Sequence, residues 1–390
     1  MLEKKITTSI LNWMIASNED TPVFFYNGNV VCLGVEKLKR ELGAKISFST
    51  KANSHPFVLH ELKDSIDEFN VTNLFDLDSL LNLGVHPGRI SWIHPVTPVF
   101  TLKKVISKGI QKFVIDDERG LDELNQLGTG FSITLRIRPE IHAVSKRSLV
   151  RFGNEPGVLF ELAKKAISFG HHIEALSFFV GVSDNESDLT SSYSAGIQAA
   201  AYLYRKLDNQ GIEVKTINIG GGFPGSQRRF YYDNPDFLSS INRIFHKNFS
   251  SDITMLCEPG RFLVEPCMLM ASRVIADRKF ANQRLVHIEA SAYGGLFETS
   301  FIDPEDTLTI GVLADTESTS ACLLGPIMDS FDIIKRQFNL PLLQTNDWIL
   351  LANVGAYAIG YSNRAEGIVS PNVIKLPKEL SLMLDEVWYD

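Results

Sequence analysis

Apolar positions along this chain change texture twice. From residue 46 to 259, short runs rich in β-branched and aromatic residues recur. They are "ISFSTK" (46–51), "EFNVT" (68–72), "RISWIH" (89–94), "KFVID" (112–116), "SITLRIR" (132–138), "EALSFFVG" (174–181), "KTINIG" (215–220) and "TMLCEP" (254–259). Several are apolar on both faces, the pattern of parallel strands covered by helices. Between them, segments such as "HPFVLHELKDSID" and "TLKKVISKG" place apolar residues at helical spacing. Eight strand–helix units predict an α/β chain folded as a (β/α)8 barrel.

After residue 266 the runs become strand-like and are separated by Gly- and Asp-containing turns: "RLVHIEAS", "LTIGVLAD" and "DWILLANVGAYAIGY", with a charged tail ending "SLMLDEVWYD". This predicts a second, all-β domain. "TPVFFYNGNVV" (21–31) is also strand-like and is expected to pair into it. The N-terminal "MLEKKITTSILNWMIASNED" reads as an amphipathic helix without a cleavage site. The expected division is 27–266 for the barrel, with 1–26 and 267–390 forming the β-rich domain.

The 390-residue length suits two domains. A net charge of -8 argues against a general nucleic-acid or anionic-membrane surface and favours a small-molecule enzyme. The four cysteines lack CxxC spacing, so buried thiols in a reducing cytoplasm are expected. No apolar run reaches the roughly 18 residues of a membrane span. His55, His94, His142, His171 and His172 show no metal-ligand spacing with carboxylates and read as structural or surface residues.

Active sites of such barrels lie at the C-terminal ends of the strands, and that is where the unusual residues fall. Lys51 ends an apolar strand. There it is either a desolvated amine able to form a Schiff base or a lysine snorkelling to water. Gly220, Gly221 and Gly222 follow a strand and form either a backbone cradle for an anion or a bare turn. Glu258 ends the next strand, with Gly260 and Arg261 after it. They are either a carboxylate for a heteroaromatic nitrogen beside a phosphate arginine, or a surface ion pair. Tyr357 either reaches a phosphate or lies in the core. Arg136 sits inward if Leu135 and Ile137 face the helices, and a buried arginine needs an anionic or oxygen-rich partner. Lysine, glycine cradle, carboxylate and arginine together suit pyridoxal 5'-phosphate.

The sequence resembles the ornithine/diaminopimelate/arginine decarboxylases, which depend on that cofactor. Its anchors, in order, are "TKAN" (50–53), "LRIRP" (135–139), "GGGFPG" (220–225), "EPGR" (258–261), "GPIMDS" (325–330) and "GAY" (355–357). The resemblance runs from about Thr21 to the end. It implies an alanine-racemase-like barrel with a mostly β domain, the cofactor on Lys51, and the phosphate near Gly220, Gly221, Gly222, Arg261 and Tyr357. It also makes Glu258 the partner of the pyridine nitrogen. A head-to-tail homodimer is implied, in which Asp329 acts in the partner's site on a substrate amine or polar tail.

Three positions depart from the family pattern. Met328 stands where "GPxCDS" carries a cysteine that reprotonates Cα, and a thioether has no proton to give. "SFFVGV" replaces "SFHVGS", so Phe179 keeps a stacking face but no hydrogen bond, and Val182 lacks a phosphate-directed hydroxyl unless Ser183 supplies one. Asn70 replaces an aspartate. These departures suit a decarboxylase of an unusual amino-acid group, on a polyamine, lysine, siderophore or antibiotic type of pathway, with water or Tyr293 protonating Cα. Two alternatives stay open: a decarboxylase-like regulatory or binding protein, and a racemase or decarboxylation-dependent transaminase outcome. No substrate code is legible in "LADTESTSACLL", and "SQRRFYY" reads as a solvated basic loop.

Overall fold

The computed structural model describes residues 4–17, 19–139, 151–181, 183, 185–225, 228–300, 308–362 and 365–389. His142, Val182 and the side chains of Arg228 and Arg229 lie outside the described set. The chain forms two compact units: Gly34–Pro224 with Arg229–Gly260, and Met1–Leu33 with Gly225–Arg228 and Arg261–Asp390.

The first strand, β1 (Val23–Tyr26), belongs to the β-rich unit, and the next eight build the barrel. These are β2 (Lys45–Ser49), β3 (Glu68–Val71), β4 (Ile90–Trp92), β5 (Lys112–Ile115), β6 (Ser132–Ile137), β7 (His172–Phe178), β8 (Thr216–Asn218) and β9 (Thr254–Cys257). They are parallel, pair in chain order, and close where Lys45 and Ile46 of β2 meet Leu256 and Cys257 of β9. Phe113, Val114 and Ile115 are consecutive and buried, as expected of a strand covered on both faces. In β6, Ile133, Leu135 and Ile137 are buried on one face, which puts Arg136 on the other.

Polar residues at the strand-to-helix turns start the outer helices. The side chains of Asn73, Asp117 and Asn185 accept from the backbone N–H groups of Asp76, Gly120 and Asp188, closing otherwise unpaired helix donors.

The β-rich unit carries a sheet in the order β12 (Thr309–Val312), β15 (Trp348–Ala352), β10 (Met268–Phe280), β11 (Gln283–Ile288), β13 (Thr319–Leu324), β14 (Ile333–Leu340). The predicted N-terminal strand joins it, with Phe24 of β1 antiparallel to Met270 of β10, and β16 (Asn372–Lys375) parallel on its other side. Ile6, Ile10, Leu11 and Met14 of the amphipathic helix Lys4–Ser17 pack in one core with Phe25, Leu269, Leu350 and Leu384.

Three expectations for this unit are corrected. It is mostly β rather than all β, because the charged tail is the helix Lys378–Tyr389. The segment 21–31 is a strand only to Tyr26; the Asn27 side chain then accepts from the N–H of Asn29, where a helix begins. "DWILLANVGAYAIGY" leaves the sheet after Ala352, since Asn353 and Tyr357 take left-handed φ values of 66° and 50°.

One buried hydrogen bond ties a barrel helix to the turn after β8. Tyr193, on the helix Glu186–Asp208, donates to the Gly221 carbonyl at 3.0 Å and stacks on Phe223 at 5.5 Å. Tyr193→Phe keeps the stack and strands the carbonyl, so urea unfolding should show a loss of about 1–3 kcal/mol.

Candidate active site

Residues from seven of the barrel strands or the turns just after them converge at the C-terminal mouth. Lys51 stands two residues past β2, in the turn Thr50–Ala52. Its side chain is reached by water yet lies deep among protein atoms. That desolvation lowers the ammonium pKa; the Glu258 carboxylate opposes the shift, and Arg136 and Arg151 add to it. Arg136 is likewise desolvated, with Glu258 and then Asp116 holding its charge. The Arg136 and Arg151 guanidiniums lie 5.6 and 5.4 Å from the centre of the Phe152 ring, and His94 meets that ring edge-on at 5.5 Å.

Glu258 is held from two sides. Its backbone N–H donates to the Gly220 carbonyl at 2.8 Å, and its Oε1 accepts from Asn218 Nδ2 at 2.6 Å. Asn218 Oδ1 in turn accepts from the N–H of Gly220 at 2.9 Å. One side chain therefore fixes both the carboxylate and the start of the glycine turn.

That turn admits no side chain. Gly220 and Gly222 have φ of 73° and 95°. A Cβ on Gly220, Gly221 or Gly222 would lie 2.1, 2.5 or 2.3 Å from the carbonyl oxygen of Phe178, Glu258 or Gly181 respectively. Phe179, next after β7, is partly exposed. A desolvated amine, an oriented carboxylate and a bare backbone turn fit pyridoxal 5'-phosphate.

The β-rich unit brings together Arg261, Tyr357, Glu265 and Glu298. Arg261 Nη1 donates to Glu265 Oε1 and to Glu298 Oε2, each at 2.8 Å, and Nη2 donates to Glu298 Oε1. Burial alone would lower the guanidinium pKa, but the two carboxylates outweigh it and hold it above its usual value. The Tyr357 ring lies 5.3 Å from this guanidinium, and burial pushes its phenol up to about 12.

"GPIMDSFD" separates its two aspartates. Asp332 is buried: its Oδ1 accepts from Ser291 Oγ at 2.9 Å and from the N–H of Ala292 at 2.7 Å, and Oδ2 accepts from the N–H of Ile327 at 3.3 Å. Asp329 faces outward and accepts from Tyr293 Oη at 2.7 Å and from the N–H of Phe331 at 2.8 Å. The Phe331 N–H, then Tyr293, keep its pKa low. Met328 is 94% exposed.

The barrel thus gathers Lys51, Arg136, Glu258 and the glycine triplet, while Arg261, Tyr357, Met328 and Asp329 belong to the other unit. Asn70 is buried and accepts from Ser47 Oγ at 2.9 Å. His55 caps a helix through Nδ1, and His171 stacks on Phe131, as structural residues do. The His94 pKa is lowered by burial, and Arg151, Lys51 and Arg136 lower it further. Asn218, Phe152, Asp116, Glu265 and Glu298 were not singled out from sequence. A polar Asn218 inside "TINIG" and the i,i+4 spacing of Arg261 and Glu265 were usable signals; Glu298 offered none.

Residues 33–265 match the family described as pyridoxal-dependent decarboxylase, pyridoxal binding domain. Antizyme inhibitor 2 of Xenopus laevis is 26% identical over 94% of this chain and 83% of its own length. The lysine/ornithine decarboxylase of Selenomonas ruminantium is 24% identical over 95% of this chain and 92% of its own. Among solved structures, lysine decarboxylase from Selenomonas ruminantium aligns with a TM-score of 0.86 at 22% identity, covering 98% of this chain and 99% of that one. The arginine decarboxylase of Paramecium bursaria Chlorella virus aligns at 0.84 and 21%, covering 94% and 99%; at such identity these two likenesses speak for the fold. The chain belongs to the pyridoxal-dependent decarboxylase family, carboxy-lyases whose cofactor is pyridoxal 5'-phosphate.

Proposed function

We propose that this protein removes the α-carboxylate of an amino acid, or of a biosynthetic intermediate that carries one, with its cofactor joined to Lys51. The observation that carries the reading is the meeting of a desolvated Lys51 with Glu258 and Arg136 at one barrel mouth. When bound, the cofactor supplies a protonated ring that accepts the electron pair released at Cα.

The chain's own residues do the rest. Desolvation leaves more of the Lys51 amine unprotonated and nucleophilic. Glu258, aimed by Asn218, is the carboxylate that retains a proton on the ring nitrogen. The N–H groups of the turn Gly220–Gly222, with Gly260, Arg261 and Tyr357, receive the phosphate. Phe179 offers its ring face to the cofactor ring, and Arg136 adds positive charge beside it. Asp329 meets the amine or polar tail of a substrate held by the partner subunit of a homodimer. The exposure of Met328 at 94% and Phe331 at 70% on the same segment supports such an interface. With no proton on Met328, Cα takes its proton from water or from Tyr293, whose hydroxyl already bonds Asp329.

A second reading, a non-catalytic binding protein that keeps the fold, is favoured by Met328 and by the likeness to antizyme inhibitor 2. The two readings part in one assay. Carbon dioxide release across a panel of amino acids and conjugates is expected for the enzyme, and long-wavelength cofactor absorbance without release from any of them would favour the binding protein.

Lys51→Ala should abolish both the lysine-linked cofactor absorbance and carbon dioxide release; retention of either would rule out Lys51 as the lysine that carries the cofactor. Asn218→Leu should keep the absorbance but slow release by about tenfold or more, as loss of an orienting partner does. Met328→Cys should raise turnover and sharpen the stereochemistry of deuterium added at Cα in deuterated water. Unchanged rate and product would show that the thioether is not what limits protonation. Phe331→Arg should shift sedimentation from dimer to monomer.

A further inference from the structure

The Arg261 guanidinium is engaged by two carboxylates. Glu265, buried and one helical turn on, anchors Nη1 at 2.8 Å. Glu298 takes a second, two-point hold on the same group through Nη1 and Nη2. A bidentate carboxylate on a guanidinium presents two oxygens in a plane, and it takes the same face that arginine offers to a phosphate monoester. Glu298 is less buried than Glu265, with 23% of its side chain exposed against 1%. Burial raises its carboxyl pKa against the pull of Arg261, so its charge is held at a cost that Glu298 recovers on leaving the cluster.

We infer that Glu298 is an internal competitor for the anion site on Arg261: it occupies the guanidinium face that a phosphate monoester would take, and so sets the affinity for the phosphate of the cofactor. This rests on the assignment of Arg261 to that phosphate. Glu265 has a different part, since it keeps the guanidinium in place whichever anion holds the outer face. Tyr357, stacked on the guanidinium, limits its movement during the exchange.

The test compares equilibrium binding of pyridoxal 5'-phosphate with that of pyridoxal, which lacks the phosphate. Titrations by cofactor absorbance use the full-length wild-type protein, Glu298→Gln and Glu298→Asp, and thermal melting checks that each variant is folded. Glu298→Gln should tighten pyridoxal 5'-phosphate by about tenfold, the order of one charge-assisted hydrogen bond, and leave pyridoxal unchanged. Glu298→Asp, with its reach shortened by one methylene, should fall between the two, and carries the test alone if the glutamine variant does not fold. Unchanged or weaker binding of pyridoxal 5'-phosphate overturns the inference, because Glu298 would then orient Arg261 rather than compete for it. Equal tightening of both ligands also overturns it. If the wild type takes up neither, the cofactor assignment itself fails, and this inference with it.

Discussion

The hydrogen bonds between β2 and β9 are what the rest of the site depends on. Lys45 pairs with Leu256 and Ile46 with Cys257, joining the first barrel strand to the last across some two hundred residues of chain. Without that closure, Lys51 and Glu258 would sit at opposite edges of an open sheet. With it, the lysine lies within electrostatic reach of a carboxylate that opposes its loss of charge. The two requirements pull against each other: enough desolvation to free the amine, and enough negative charge nearby to keep the pocket tolerable. Arg136 sits inside the same balance, desolvated and steadied by Glu258 and Asp116.

Most of the barrel was legible because its strands are buried on both faces and leave continuous apolar runs. All eight runs correspond to strands, with no end displaced by more than three residues. The chemistry at their ends was legible for a related reason: charged or glycine residues interrupt apolar runs only where something other than packing is satisfied. What escaped was information that pairing in space creates. The tail Lys378–Tyr389 is a helix because Leu384 finds a core with the N-terminal helix, a partner remote in sequence. The strand around "ANVGAY" ends early because two non-glycine residues turn left-handed, which residue types alone do not announce. The grip of Glu298 on Arg261 spans 37 positions and has no periodic signature.

Met328 and the two aspartates near it illustrate how one motif divides its labour. Asp332 spends both carboxylate oxygens on the backbone and on Ser291, which fixes the segment to the unit that carries it. That anchoring leaves Met328, Asp329 and Phe331 projecting from a constrained base. A disordered loop would have to be ordered on meeting a partner, at an entropic cost of roughly 1–2 kcal/mol per residue; a stapled one has met that cost on folding. The methionine therefore sits on a rigid platform, and its chemistry can be exchanged without rebuilding the support.

The glycine turn has a different consequence, for what evolution or an engineer can change. At each of the three positions a single methyl group would run into a carbonyl oxygen, and the three oxygens belong to Phe178, Glu258 and Gly181. Relief would have to come from backbone at and just past the ends of β7 and β9, where Glu258 follows the latter. Mutational latitude at this turn is therefore close to zero, and diversity in substrate choice has to arise elsewhere. The projecting side chains of the "GPIMDSFD" segment, Met328 and Phe331, meet no such backbone walls and can be exchanged without moving the barrel strands.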